Sequence, residues 1–172
     1  MKQLIIILIF SSVLISQEFQ IARVQYSGGG DWYSDPSSLP NLLHFLRINT
    51  PMVNASDEVR IKLTDSNAKQ YPYLYLTGHG NIRLTENEVI ELRSILSNGG
   101  FLHADDNYGM DKSFRREIKK VFPGKDFIEL PHTHPIFFSF YEFGNGLPKI
   151  HEHDNKAPQA LAIFENQRIV IL

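Results

Sequence analysis

Three strand-like segments of this sequence each lead directly into a loop that is rich in glycine or in acidic residues. If these strands are parallel neighbours, all three loops leave from the edge of the sheet at which the strands end, where open α/β sheets bind their ligands. The pattern predicts a binding site but names no reaction, because no nucleophile motif or phosphate loop accompanies it. The strand-like segments are 20–27, 71–77 and 101–104, and their loops are 28–32, 78–80 and 105–109.

The composition predicts one globular domain with a buried core. The chain has 172 residues, of which 42% are hydrophobic, and this suits a single folded unit. Its net charge of −2 comes from well-mixed acidic and basic residues, so the sequence predicts neither nucleic-acid binding nor a polybasic lipid contact. Cysteine is absent, which excludes disulfides and a thiolate nucleophile.

The first residues have the pattern of a secretory signal peptide. Lys2 precedes an apolar run at 4–15, which ends at polar residues 16–18. We expect residues 1–16 to be cleaved and 17–172 to form a single α/β domain that is exported, either periplasmic or secreted. The alternative is an uncleaved anchor, but a membrane span needs ~20 apolar residues. No stable span is therefore expected after cleavage.

Strand and helix patterns alternate through the rest of the sequence. Thr85 and Glu88 form a capping box, which marks the start of a helix. This alternation predicts a doubly wound sheet that is mostly parallel. The predicted helices are 37–48, 85–98 and 112–122; further predicted strands are 59–63, 127–130 and a pair at 160–164 and 168–172.

Several of these segments resemble a known family. They are 28–33, 39–43, 75–80 and 99–102, together with Asp105 and Asp106. In these segments the chain resembles the bacterial family called domain of unknown function 4159, over nearly all of the predicted mature chain. The resemblance implies a three-layer flavodoxin-like sandwich, similar to the class I glutamine amidotransferases, with a mostly parallel central sheet. It supplies no catalytic residues, because the family has no established activity.

The chain also differs from the proteins it resembles in two ways. The amidotransferases place a nucleophilic cysteine in a tight turn after a strand, whereas segment 100–106 offers His103, Asp105 and Asp106. Thioester chemistry is therefore excluded. Family members continue beyond the last strand with an acidic segment, which implies that a chain ending at Leu172 is short at its C-terminus.

Ten residues of the three loops are the candidate ligand-binding residues. Glycines on both sides of His79 allow close approach of a ligand, although His79 could equally bond a neighbouring loop carbonyl. Trp32 could stack on a sugar ring or anchor the aromatic loop at 137–141. Asp105 and Asp106 could hold a ligand, or one of them could cap the helix near Asp111. The ten are Gly29, Gly30, Asp31, Trp32, Gly78, His79, Gly80, Asp105, Asp106 and Asn107.

The histidines raise the alternative of a divalent metal. His132 and His134 would place two rings on one face of an extended segment. His151 and His153 lie in a polar stretch that is typical of a solvated loop. No established metal-binding spacing is present, so no cofactor or metal site is predicted.

Three functions remain open from the sequence. The first is an exported, non-catalytic domain that binds a small polar ligand or an envelope protein partner. The second is a hydrolase, metal-assisted or relying on carboxylate and histidine, that acts on a carbohydrate or an ester through His79, Asp105 and Asp106. The third is a structural envelope subunit whose aromatic loop packs on a partner.

Overall fold

The computed structural model describes residues 19–50, 56–148 and 157–172. The predicted signal peptide at 1–16 and the histidines at 151 and 153 lie outside these ranges. The described strands are β1 (Ala22–Val24), β2 (Val59–Ile61), β3 (Tyr73–His79), β4 (Phe101–Tyr108), β5 (Ile128–Glu129), β6 (Leu161–Glu165) and β7 (Arg168–Ile171). The helices are α1 (Ser38–Asn49), α2 (Glu86–Ser97) and α3 (Asp111–Val121), with short 3₁₀ helices at Ala68–Gln70 and Pro135–Phe138.

The seven strands form one sheet in the order β2-β1-β3-β4-β7-β6-β5. The five strands from β2 to β7 in this order are parallel neighbours, but β6 pairs antiparallel with β7 and β5 pairs antiparallel with β6. The sheet is therefore mixed, and the prediction of a mostly parallel sheet was wrong. The turn between β6 and β7 explains the difference, since Asn166 and Gln167 both have positive φ, 49° and 64°. Such a two-residue turn reverses the chain, whereas a parallel pair needs a long crossover.

Helices cover both faces of the sheet. Side chains alternate between the two faces along each strand, and one set, including Val24 and Leu76, packs with buried residues of α2 and α3 in the main core. The other set, including Ile21 and Tyr75, packs against Leu39 and Leu43 of α1. A third cluster around Phe137 joins the aromatic loop to β6 and β7. The α/β class predicted from the sequence is confirmed.

The predicted capping box is confirmed at the start of α2. Thr85 Oγ1 accepts a hydrogen bond from Glu88 N at 3.3 Å, and Thr85 N donates to Glu88 Oε2 at 2.7 Å. The buried stripe of this helix faces the core and consists of Val89, Leu92, Ile95 and Leu96. Within the described ranges, no helix combines the length and the apolar character needed to cross a lipid bilayer.

Strand β4 extends further than predicted. It was expected to end at Ala104, but the ladder with β3 pairs Thr77 with Asp105 and Gly78 with Asp106. The two acidic residues therefore lie in the last part of a strand rather than in a loop. Because successive strand residues point to opposite faces, the two carboxylates diverge.

Candidate functional site at the carboxyl edge

The loops that follow β1 and β3 meet where the strand order reverses. Asp31 and His79, 48 positions apart in sequence, are in direct contact there: His79 N donates to Asp31 Oδ1 at 2.5 Å, and His79 Nδ1 lies 3.1 Å from Asp31 Oδ2. The side chains remain accessible, with 52% of His79 and 33% of Asp31 exposed. The structure thus brings together two of the predicted residues at the position where open α/β sheets hold ligands.

The contact determines the charge of Asp31 and the tautomer of neutral His79. Hydrogen bonds from the His79 backbone amide, and also from its ring, hold the pKa of Asp31 below its usual value, although partial burial opposes this shift. Asp31 is therefore an ionised acceptor, and in its neutral form the His79 imidazole must carry its proton on Nδ1 to donate to it. Nε2 is then left as a lone-pair acceptor that can bond a hydroxyl or an amine.

The glycines of both loops allow this close approach. A Cβ on Gly78, which has φ +144°, would lie 2.3 Å from Tyr26 Oη, and a Cβ on Gly30 would lie 2.7 Å from the carbonyl oxygen of His79. The Gly30 amide donates to the Asn81 carbonyl at 2.9 Å, so it is not available to an anion. These glycines therefore act in packing the two loops against each other.

Tyr26 bonds to the end of β3 that carries His79. Its hydroxyl donates to the Thr77 carbonyl at 3.1 Å. Burial, with smaller contributions from the negative charges of Asp31 and Asp106, raises the pKa of Tyr26 to about 12. Asp106 has the same parity along β4 as Leu102 and Ala104, so it lies on the face of the main core, which also contains Tyr26.

The two acidic residues at the end of β4 have separate structural tasks. Asp106 accepts hydrogen bonds from Met110 N and Asp111 N, each at 2.9 Å, and so caps the start of α3. The capping alternative is confirmed for Asp106. Asp105 instead accepts from the hydroxyl of Tyr75 at 3.0 Å, on the α1 face of the sheet. The structure therefore does not place Asp105 and Asp106 together as a carboxylate pair.

The remaining polar residues of β4 bond to neighbouring elements. Asn107 donates to Ser34 Oγ at 3.1 Å and to the Asp35 carboxylate, so it ties β4 to the loop after β1. His103 Nδ1 lies 3.1 Å from the hydroxyl of Tyr73, and burial lowers the pKa of His103. A neutral, partly buried imidazole on the α1 face is not positioned to assist His79.

Arg23 is a central residue of the site that the sequence pattern did not indicate. Only 1% of it is exposed, and its guanidinium donates to Glu58 Oε2 at 3.1 Å and to the Ser34 carbonyl at 3.0 Å. A weaker contact reaches the Trp32 carbonyl at 3.4 Å, and the guanidinium lies over the ring of Tyr75. Arg23 therefore holds the loop that carries Asp31. The sequence feature that could have indicated this role is that Arg23 is the only charged residue in the strand-like segment 20–27.

Trp32 does not anchor the aromatic loop. Its partly buried ring packs on the main core and meets Tyr33 edge-on, with the centroids 5.5 Å apart. The aromatic loop instead contacts α1, where Phe140 lies 5.4 Å from Phe45. The alternative that Trp32 anchors the aromatic loop at 137–141 was therefore wrong, because Trp32 packs on the main core. Trp32 also lines a cavity of about 350 Å³.

The described residues contain no group of three or more His, Asp or Glu side chains placed to hold a metal ion. His132 and His134 do not lie on one extended face, because His134 N bonds the Pro131 carbonyl in a turn. His134 Nδ1 accepts from Ile136 N at 3.2 Å, so this ring caps a short 3₁₀ helix. The two-histidine alternative fails because the turn separates the rings.

Comparison with known families agrees with the resemblance. The model of the family described as domain of unknown function (DUF4159) matches residues 20–172. The chain belongs to this family. No curated protein matches the sequence. The match spans every element of the DUF4159 domain described above, including the loops that carry Asp31 and His79.

Proposed function

We propose that this DUF4159 domain binds a small polar ligand at the carboxyl edge of its parallel strands, with Asp31 and His79 as the primary contacts. The observation that carries the proposal is the accessible pair itself, an ionised carboxylate bonded to an imidazole whose Nε2 has no partner among the described residues. Such a pair offers acceptors to hydroxyl and amine groups. Of the remaining candidates, Gly30 and Gly78 allow the two loops to pack, and Asn107 bonds to the loop after β1. Asp105 and Asp106 bond to Tyr75 and to the start of α3. Gly29, Trp32 and Gly80 lie in the same two loops as the pair.

We infer a flavodoxin-like fold of the class I amidotransferase type, and such a fold would hold its ligand at this position. The parallel strands run β2-β1-β3-β4-β7, which corresponds to the 2-1-3-4-5 order of flavodoxin-like sheets. In that order the ligand crevice lies between the first and third strands, where Asp31 and His79 meet. We regard β5 and β6 as an antiparallel addition at one edge of such a sheet.

An exported location is part of the proposal. It rests on Lys2 and the apolar run at 4–15, which together are typical of a signal peptide. N-terminal sequencing of the protein from its native host should give a chain that begins near Gln17, outside the cytoplasm. Recovery of intact Met1 from the cytoplasm would contradict it.

Binding is favoured over catalysis by what surrounds the pair. Both oxygens of Asp106 are occupied by backbone amides, and Asp105 faces α1. A single carboxylate with one imidazole can orient a ligand, but it lacks the second acid that carboxylate-pair hydrolysis uses. The observed contacts therefore favour ligand binding over bond cleavage.

The test is a panel titration followed by NMR of the backbone amides at 28–31 and 78–80. The panel contains neutral monosaccharides, amino acids, dicarboxylates and inorganic phosphate. One class should shift these amides saturably, and His79→Gln, which removes the imidazole at similar size, should abolish the effect. A matched control is His44→Gln, on the exposed outer part of α1. If no class shifts these amides, or if both variants behave alike, the proposal fails.

A second function, hydrolysis of an ester or a glycoside, is favoured by one observation. The 3.1 Å contact from Nδ1 to Asp31 is the arrangement in which a carboxylate orients an imidazole that acts as a general base on water. Nitrophenyl esters and nitrophenyl glycosides provide the assay, with and without added Zn²⁺. Turnover that is lost in both His79→Gln and Asp31→Asn would establish a hydrolase. Activity that survives either change would exclude this pair as its source.

A further inference from the structure

The cavity beside Trp32 has the size and the position of a separate binding site. It encloses about 350 Å³, within the range of small-molecule sites. It opens where β1 and β2 end, and it is also bounded by the first turn of α2. The residues that define its chemistry are Gln25, Tyr26, Trp32, Lys62, Thr64 and Glu88.

The lining combines aromatic surface with hydrogen-bonding groups. Trp32 and Tyr26 contribute rings, whereas Gln25 and Thr64 contribute an amide and a hydroxyl that both donate and accept. Aromatic side chains provide large, rigid apolar surface. A ring-shaped ligand that carries apolar C–H bonds and several hydroxyls matches both kinds of surface at once.

The charges of the cavity disfavour an ionic ligand. Lys62 is exposed at the rim, and Glu88 is buried, with Oε2 accepting from both Thr85 N and Thr85 Oγ1. The capping box also occupies the Glu88 amide, so the start of α2 does not offer these amides to a phosphate. One cation and one anion in the lining leave no net charge to attract a charged group.

We propose that this cavity is a subsite for a neutral sugar ring that stacks on Trp32 and bonds to Lys62 and Thr64. It extends the proposed function, because the ring of Tyr26 lines the cavity while its hydroxyl supports the loop below Asp31. The subsite itself uses neither Asp31 nor His79. It therefore stands or fails separately from the crevice at that pair.

Intrinsic fluorescence tests the subsite directly, because Trp32 is the only tryptophan in the sequence. The full chain is titrated with glucose, galactose and N-acetylglucosamine, with inorganic phosphate as the anionic comparison. At least one sugar should change the emission saturably, with a dissociation constant in the millimolar range, and phosphate should not. Removing one hydrogen bond in Lys62→Met or Thr64→Val should weaken binding about 5-fold.

Lys69→Met is the matched control. Lys69 lies at the opposite edge of the sheet and pairs with Glu91 on the surface, so its loss should leave the titration unchanged. His79→Gln should also bind the sugar as the wild type does, which separates this test from that of the crevice. Circular dichroism confirms that each variant is folded. The proposal is overturned if no sugar changes the emission, if phosphate alone does, or if Thr64→Val binds as tightly as the wild type.

Discussion

Replacement of Arg23 by methionine is the sharpest test of how the site is held in place. Arg23 joins β1 to Glu58 and to the carbonyl groups of the loop that carries Asp31. Methionine keeps an unbranched apolar side chain but removes the charge and every donor. The loop should lose its anchor, and Glu58, whose side chain is only 9% exposed, should lose its buried partner.

The expected cost follows from the burial of the pair. Removing one partner of a buried ion pair destabilises a protein by about 3–5 kcal/mol when the other charge is left buried without compensation. Arg60 still pairs with Glu58 Oε1 after the change, so we expect a loss at the lower end, about 3 kcal/mol. For a chain of this size each kcal/mol lowers Tm by about 2–4 °C, so Arg23→Met should lower Tm by about 6–12 °C.

The protein contains its own matched control. Arg60 also pairs with Glu58, at 3.1 Å through Oε1, but 51% of its side chain is exposed. Exposed pairs contribute about 0–1 kcal/mol, so Arg60→Met should change the free energy of unfolding little. Urea unfolding measured by circular dichroism and by Trp32 emission compares the two variants. Equal losses in both would refute the structural role assigned to Arg23.

Three further predictions concern the same edge and the core beneath it. Gly78→Ala should lower the free energy of unfolding by about 2–5 kcal/mol, since its Cβ would meet Tyr26 Oη at 2.3 Å. Gly99→Ala, also at positive φ but facing open space, should lower the free energy of unfolding by only about 1–2 kcal/mol. A similar loss in both variants would contradict the close packing at Gly78. Asp106→Ala should cost about 0.5–2 kcal/mol in urea unfolding by removing the cap of α3, and an unchanged midpoint would contradict the cap. Burial, reinforced by the nearby Asp105 charge, raises the pKa of Tyr75 to about 12, so the folded state keeps a proton that the unfolded state releases from about pH 10 upward. The free energy of unfolding should therefore fall between about pH 10 and 12, and Tyr75→Phe should flatten that fall; an identical pH profile would contradict it.

Local signals in the sequence predicted the helices and the hairpin well. The capping box at Thr85 and Glu88 is decided by residues three positions apart. The tight connection between β6 and β7 likewise depends on two adjacent turn residues. Such interactions are complete within a short segment, so the sequence pattern contains their whole cause.

The placement of Asp31 and His79 at one edge of the sheet was predicted from the order of strands and loops. Their position at one edge follows from parallel strands whose loops leave on the same side. The hydrogen bond between the two side chains, however, depends on the backbone approach that Gly30 and Gly78 allow. The sequence therefore indicated the neighbourhood of the site but not which carboxylate would be the partner of His79.

Features that depend on distant partners were not predictable in this way. The antiparallel part of the sheet includes the local β6–β7 hairpin, but the addition of β5 beside β6 joins segments that are distant in sequence, and the pattern of each segment alone does not specify it. The role of Arg23 depends on Glu58, 35 positions away. For Asp106, a ligand and a helix cap require the same acceptor oxygens, so the residue type alone could not separate the two roles.

Ligand binding at the Asp31–His79 pair can be observed in a crystal structure of the domain soaked with the panel compound that gives the largest NMR shifts. We expect density for the compound within hydrogen-bonding distance of His79 Nε2 or Asp31. The rival location is a cavity of about 300 Å³ at the opposite edge, lined by residues that include Pro72, Asn98 and Gly100. Density found only in that cavity would contradict a ligand site at the Asp31–His79 pair.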